Sequence, residues 1–140
     1  MSIKALTALS LLAFSTLISA NTCPTQLVKE YNGFWISQEQ PGWKSSEQTG
    51  VNTTVNTKDF GGAVYSPSQK RIACVYRTSR GYWIAMVSHT HKGFQINKHA
   101  LDDARKHYSW KWDPKNKDYS CGRPSVIRPK NCEFTLSHLH

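Results

Sequence analysis

Four cysteines, Cys23, Cys74, Cys121 and Cys132, limit this chain more than any other feature. They form an even set with no Cys-x-x-Cys pair, which suits a disulfide framework better than a zinc site if the compartment is oxidising. Four cysteines allow three connectivities. The short interval from Cys121 to Cys132 favours that pair, which leaves Cys23 for Cys74. In the chain-entropy model, loops of these sizes contribute about 3 and about 4 kcal/mol respectively. Small exported domains commonly add such bonds to a modest core.

The N-terminus supplies the compartment. Lys4 gives the start one positive charge, Ala5 to Ile18 carries none, and Ser19-Ala20 closes the stretch with small residues. This is the order of a secretory signal peptide, and its apolar part falls short of the roughly 20 residues that a span needs. Cleavage is expected after Ala20, leaving residues 21–140 as a single domain. Lipid attachment at Cys23 is disfavoured because Thr22 replaces the small residue usual before a lipidated cysteine. The mature chain has no other segment apolar enough to cross a bilayer. Its expected place is the periplasm, with secretion as the alternative.

Charge is unevenly spread. Asn21 to Gln69 carries three Lys and four acidic residues, whereas Lys70 to Lys130 carries fourteen Lys or Arg against four Asp. Such asymmetry points to a partner with an acidic surface.

Leu is scarce after residue 20, and aromatic, Val, Ile and Thr residues dominate, a balance that favours strands. Thr25 to Tyr31 is read as a helical turn or two, stopped by Asn32-Gly33, with a short strand at Phe34 to Ile36. Residues 37–58, broken by Pro41-Gly42 and Gly50, read as a long loop holding a weak strand at Val51 to Val55. A meander follows, with strands at Phe60 to Ser66, Arg71 to Arg77 and Tyr82 to Ser88. The turn at Thr78 to Gly81 makes the clearest hairpin. Alternation puts Ile72, Cys74 and Tyr76 on one face, a suitable place for a buried disulfide. Phe94 to Asn97 is expected to extend the sheet. His99 to His107 has helical spacing of Ala100, Leu101 and Ala104. Trp110 and Trp112 share a face if extended, Pro124 and Pro129 stiffen the stretch between the last two cysteines, and Cys132 to Leu136 reads as a final strand. The tail from Ser137 is expected to be loose. The fold class is therefore α+β and β-rich: one small domain with an antiparallel meander, one short helix and two disulfides.

Reaction chemistry is hard to find. Ser, His and Asp are present, yet none sits in a nucleophile motif. Asp102 and Asp103 are neighbours and would diverge on a helix. His89 and His91, like His138 and His140, could share a face, but two imidazoles without a third fixed ligand make a weak metal site. No cofactor motif is present. Basic and aromatic residues suit single-stranded nucleic acid, with Trp110-Lys111-Trp112 the best stacking candidate, but export separates the chain from most nucleic acid. Aromatics flanked by Arg are instead the usual anchors of protein interfaces. Two stretches fit: Arg77, Arg80, Tyr82 and Trp83 around the hairpin, and Arg105, Trp110, Lys111 and Trp112 further on.

The order of landmarks carries a resemblance. Cys23-Pro24 stands near the mature start, followed by Trp35, Gly42-Trp43, Phe60-Gly-Gly-Ala63, Ile72-Ala-Cys74-Val-Tyr76, Trp110 and Trp112, then Cys121 and Cys132-Glu-Phe134. This resembles the small exported proteins grouped with EirA, which are associated with the Dot/Icm type IV secretion system of intracellular bacteria. Glu133 stands where members often carry Pro. The resemblance implies a periplasmic, non-enzymatic accessory protein that supports effector translocation by contact with secretion machinery or envelope. It carries over only the four cysteines, as structural residues. The expected function is thus an exported interaction protein. A secreted binder or inhibitor of a host or competitor molecule is the first alternative, and a small hydrolase the second.

Overall fold

The computed structural model describes residues 21–88, 94–96, 110–122, 128–134 and 136–138. Its strands are β1 (Leu27–Lys29), β2 (Trp35–Ser37), β3 (Trp43–Ser45), β4 (Val55–Ser66), β5 (Arg71–Thr78), β6 (Trp83–Ser88), β7 (Phe94–Ile96), β8 (Lys111–Asp113), β9 (Asp118–Cys121) and β10 (Leu136–His138). A 3-10 turn covers Pro129–Cys132. Eight strands form one antiparallel sheet in the order β1-β2-β3-β6-β5-β4-β9-β8, and β7 pairs with β10 in a separate ladder.

Period-two alternation sets the faces of this sheet. Ile72, Cys74, Tyr76 and Thr78 of β5 point into the core, as do Ile84, Met86 and Ser88 of β6. Trp35, Trp43, Phe60, Ala63 and Tyr65 join them. The opposite face carries Ala73, Val75 and Arg77 of β5, with Trp83, Ala85 and Val87 beside them on β6.

The N-terminal strap closes the core. Cys23 is fully buried and bonded to Cys74, and the Tyr76 hydroxyl donates to Pro24 O at 2.5 Å. The Glu39 carboxylate accepts from the backbone N–H groups of Thr25 and Gln26, and Asn21 bridges to Phe134. The second disulfide, Cys121–Cys132, ties β9 to the 3-10 turn. Trp110 lies against Phe134 and donates its indole N–H to Glu133 O at 2.9 Å.

The β-rich antiparallel domain with two disulfides stands as expected, including both pairings and the placing of Cys74. Several local expectations are corrected. The segment read as a helical turn before Asn32 forms β1, because backbone pairing with β2 satisfies more groups than one isolated helical turn. The long loop holds β3, which joins β2 to β6. Val51 lies in a turn, and the strand expected there starts only at Val55, as the head of β4. Phe94–Ile96 pairs with Leu136–His138 and does not extend the main sheet, so the tail read as loose is strand as far as His138. In place of a strand from Cys132, a 3-10 turn ends at that residue and Phe134 makes a single bridge. The expected helix at His99 to His107 lies outside the described residues. Among those residues, regular structure is strand plus the one 3-10 turn.

Candidate contact surface

Three turns meet at one end of the sheet. The first joins β1 to β2 at Glu30 to Gly33, closed by Gly33 N donating to Glu30 O at 2.9 Å. The second is the segment before β4, where Thr53 N donates to Gly50 O at 3.0 Å. The third is the β5–β6 hairpin, closed by Gly81 N donating to Thr78 O at 2.9 Å.

Backbone and side-chain hydrogen bonds join these turns into one surface. Thr49 N donates to Gly33 O at 2.9 Å, and Gln48 Nε2 to Asn32 O at 2.8 Å. The Lys29 ammonium donates to Gly50 O and Thr53 O. Ser79 N donates to Thr54 O at 2.8 Å, while Thr54 N donates back to the Ser79 hydroxyl at 2.9 Å. Trp35 anchors the middle turn from below through its indole N–H, which donates to the buried Thr49 hydroxyl at 2.8 Å.

The joined end carries side chains that the core does not use. Tyr31 and Val51 are essentially fully exposed, and Arg80 is exposed at the hairpin tip. Tyr82 is 40% and Trp83 53% exposed. The Arg77 guanidinium stands over the Trp83 ring, 5.9 Å from its centroid. Four of the residues singled out in the sequence, Arg77, Arg80, Tyr82 and Trp83, are therefore gathered here. Tyr31 and Val51 escaped the sequence reading. They come from turns distant in sequence, and only the pairing of those turns shows that they belong together.

Trp83 also bounds a trough on the outer face of the sheet. Its benzo edge lies over Gly61, where a Cβ would come within 2.5 Å of the ring. Gly61 is the extra residue of a β-bulge, since Phe60 pairs with Tyr76 while Gly62 pairs with Val75. Gly62 has φ of 121°, and a Cβ there would fall 2.3 Å from Cys121 O. Glycine at both positions lets Trp83 reach across β5 and lets β9 close against β4. Ala63, Val64, Val75, Ser120, Cys121 and Gly122 complete the described lining of a shallow cavity of about 390 Å³.

The second stretch singled out in the sequence divides. Trp110 is a core residue, buried at 5% exposure, so it is unsuited to the contact role expected of it. Lys111 and Trp112 lie on β8, an edge of the sheet. Trp112 is 49% exposed and packs on Tyr119, with centroids 4.9 Å apart. Arg105, His89, His91 and His140 lie outside the described residues. All four cysteines are consumed in disulfides. Among the described residues, no group of three or more His, Cys, Asp or Glu is placed to hold a metal ion.

Fold and surface together define a class: a disulfide-tied antiparallel β domain with a composite end built from three turns. No family model, curated protein or solved structure matches the chain.

Proposed function

We propose that this chain is an exported, non-enzymatic interaction domain that binds a protein partner through the end where the three turns meet. The observation that carries the reading is the bonding of those turns to one another, which holds Tyr31, Val51, Arg80 and Tyr82 outward on a rigid base. Ordering these loops before binding lowers the entropic cost of association. Tyr and Arg are the side chains that most often anchor interfaces. The excess of positive charge from Lys70 to Lys130 would speed encounter with an acidic surface. The apolar leader and the resemblance to EirA-like proteins add a place: the periplasm, in support of effector passage through a type IV secretion system.

The test is chemical cross-linking in the native cell with identification of captured proteins, combined with fractionation. Capture of envelope or secretion-system subunits by periplasmic protein supports the accessory role. Release to the medium, with capture of host proteins alone, contradicts it and favours the binder or inhibitor alternative.

A further inference from the structure

The trough beside Trp83 has a composition that selects one class of ligand. Its described lining is mostly apolar, with Val64 and Val75 beside the glycines at 61, 62 and 122, whose backbone is left uncovered by side chains. Its described polar side-chain groups are two, the Ser120 hydroxyl and the Trp83 indole N–H. Ser120 is exposed, and among the described residues nothing accepts from the Trp83 indole N–H. Arg77 lies over the indole but does not line the trough, so the ring separates the cation from the apolar lining. Neither Arg77 nor Arg80 meets a carboxylate among the described residues. Among the described residues no carboxylate lines the cavity, and besides the Trp83 indole N–H the Ser120 hydroxyl is the one polar side-chain group there.

We infer that the trough docks an extended, acidic segment of a protein partner, which straddles Trp83 with an aliphatic side chain over Val64 and Val75 and a carboxylate on Arg77. An extended chain fits because its side chains alternate in direction, one entering the trough while its neighbour reaches over the ring. The pairing of a carboxylate with guanidinium is charge-assisted and gains from partial exclusion of water by the indole. This inference rests on the proposed role in protein binding and adds the chemistry of the partner and a second contact site beside the three turns.

The probe is a capped hexapeptide alternating Glu and Val, titrated to millimolar concentration into the oxidised, isotope-labelled protein. The control peptide has Lys in place of Glu. Amide and indole resonances report the site. The Glu peptide is expected to shift Gly61, Gly62, Gly122 and the Trp83 indole N–H saturably, whereas the Lys peptide leaves them still. Arg77→Gln should weaken the interaction by roughly tenfold. Gly61→Ala, whose Cβ displaces the indole, should abolish it while the remaining spectrum stays dispersed. Equal shifts with both peptides, or no shift at the trough, would overturn the inference. Shifts confined to Tyr31, Val51 and Arg80 would also overturn it, yet leave the three-turn surface standing as the partner site.

Discussion

Tyr76 links the core to the N-terminal strap. Its ring is buried between β4 and the N-terminal strap, and its hydroxyl donates to Pro24 O beside the Cys23–Cys74 bond. Burial, with a smaller contribution from the Glu39 carboxylate, pushes its ionisation well above the ordinary phenol range. The unfolded chain therefore loses this proton near pH 10 while the folded chain keeps it. Above that pH the folded state binds more protons than the unfolded one, so stability falls as pH rises. Tyr76→Phe should cost about 1 kcal/mol at neutral pH through the lost hydrogen bond. In denaturant titrations above pH 10 it should also lessen the alkaline decline by up to about 1.4 kcal/mol per pH unit. An unchanged alkaline slope would contradict the account. Gly62 gives a second test at this scale. Gly62→Ala combines an unfavourable φ with a Cβ against Cys121 O, so it should destabilise by more than about 2 kcal/mol in equilibrium unfolding. Trp110 shows why residue roles were only partly legible. The sequence shows an aromatic beside lysines, but what buries it is Phe134 and the Glu133 carbonyl, which Cys132 brings near through its bond to Cys121.

At the scale of elements, the β5–β6 hairpin and the inward face of β5 were legible because alternation and a Gly-containing turn reinforce each other there. β1 and β3 were not. Each is three residues long, too short to show a period, and each is strand only because a neighbour pairs with it. The bulge at Gly61 was likewise hidden, since two consecutive glycines read equally well as a bend. The disulfides were legible from their number and spacing, and they can be ranked. Replacing Cys23 and Cys74 by Ser should cost about 4 kcal/mol, and replacing Cys121 and Cys132 about 3 kcal/mol. The first substitution also releases the strap from Tyr76, so hydrogen exchange should rise along residues 21–26 in that variant. In the second, faster exchange should centre on β9 and Pro129–Cys132. The reverse assignment of the two patterns would contradict the topology.

For the whole molecule, the end proposed to meet a partner lies away from the β4–β5 and β8–β9 turns. The β4–β5 and β8–β9 turns lie opposite the β5–β6 tip, because β4 runs from its pairing with Thr78 to its pairing with Arg71. Three bonded turns and their exposed side chains occupy the end proposed to meet the partner. A combined Tyr31→Ser, Val51→Ser and Arg80→Ala variant should unfold within about 0.5 kcal/mol per site of the parent, since these side chains add little to the core. The same variant should capture far less partner in the cell. Positional cross-linking examines this division most directly. A photoreactive residue placed in the native cell at 31, 51 or 82 should yield the same covalent protein adduct from all three turns, while position 115 in the β8–β9 turn should yield none. Adducts at 115 equal to those at the other three positions, or none at 31, 51 and 82, would contradict the claim that this end meets the partner.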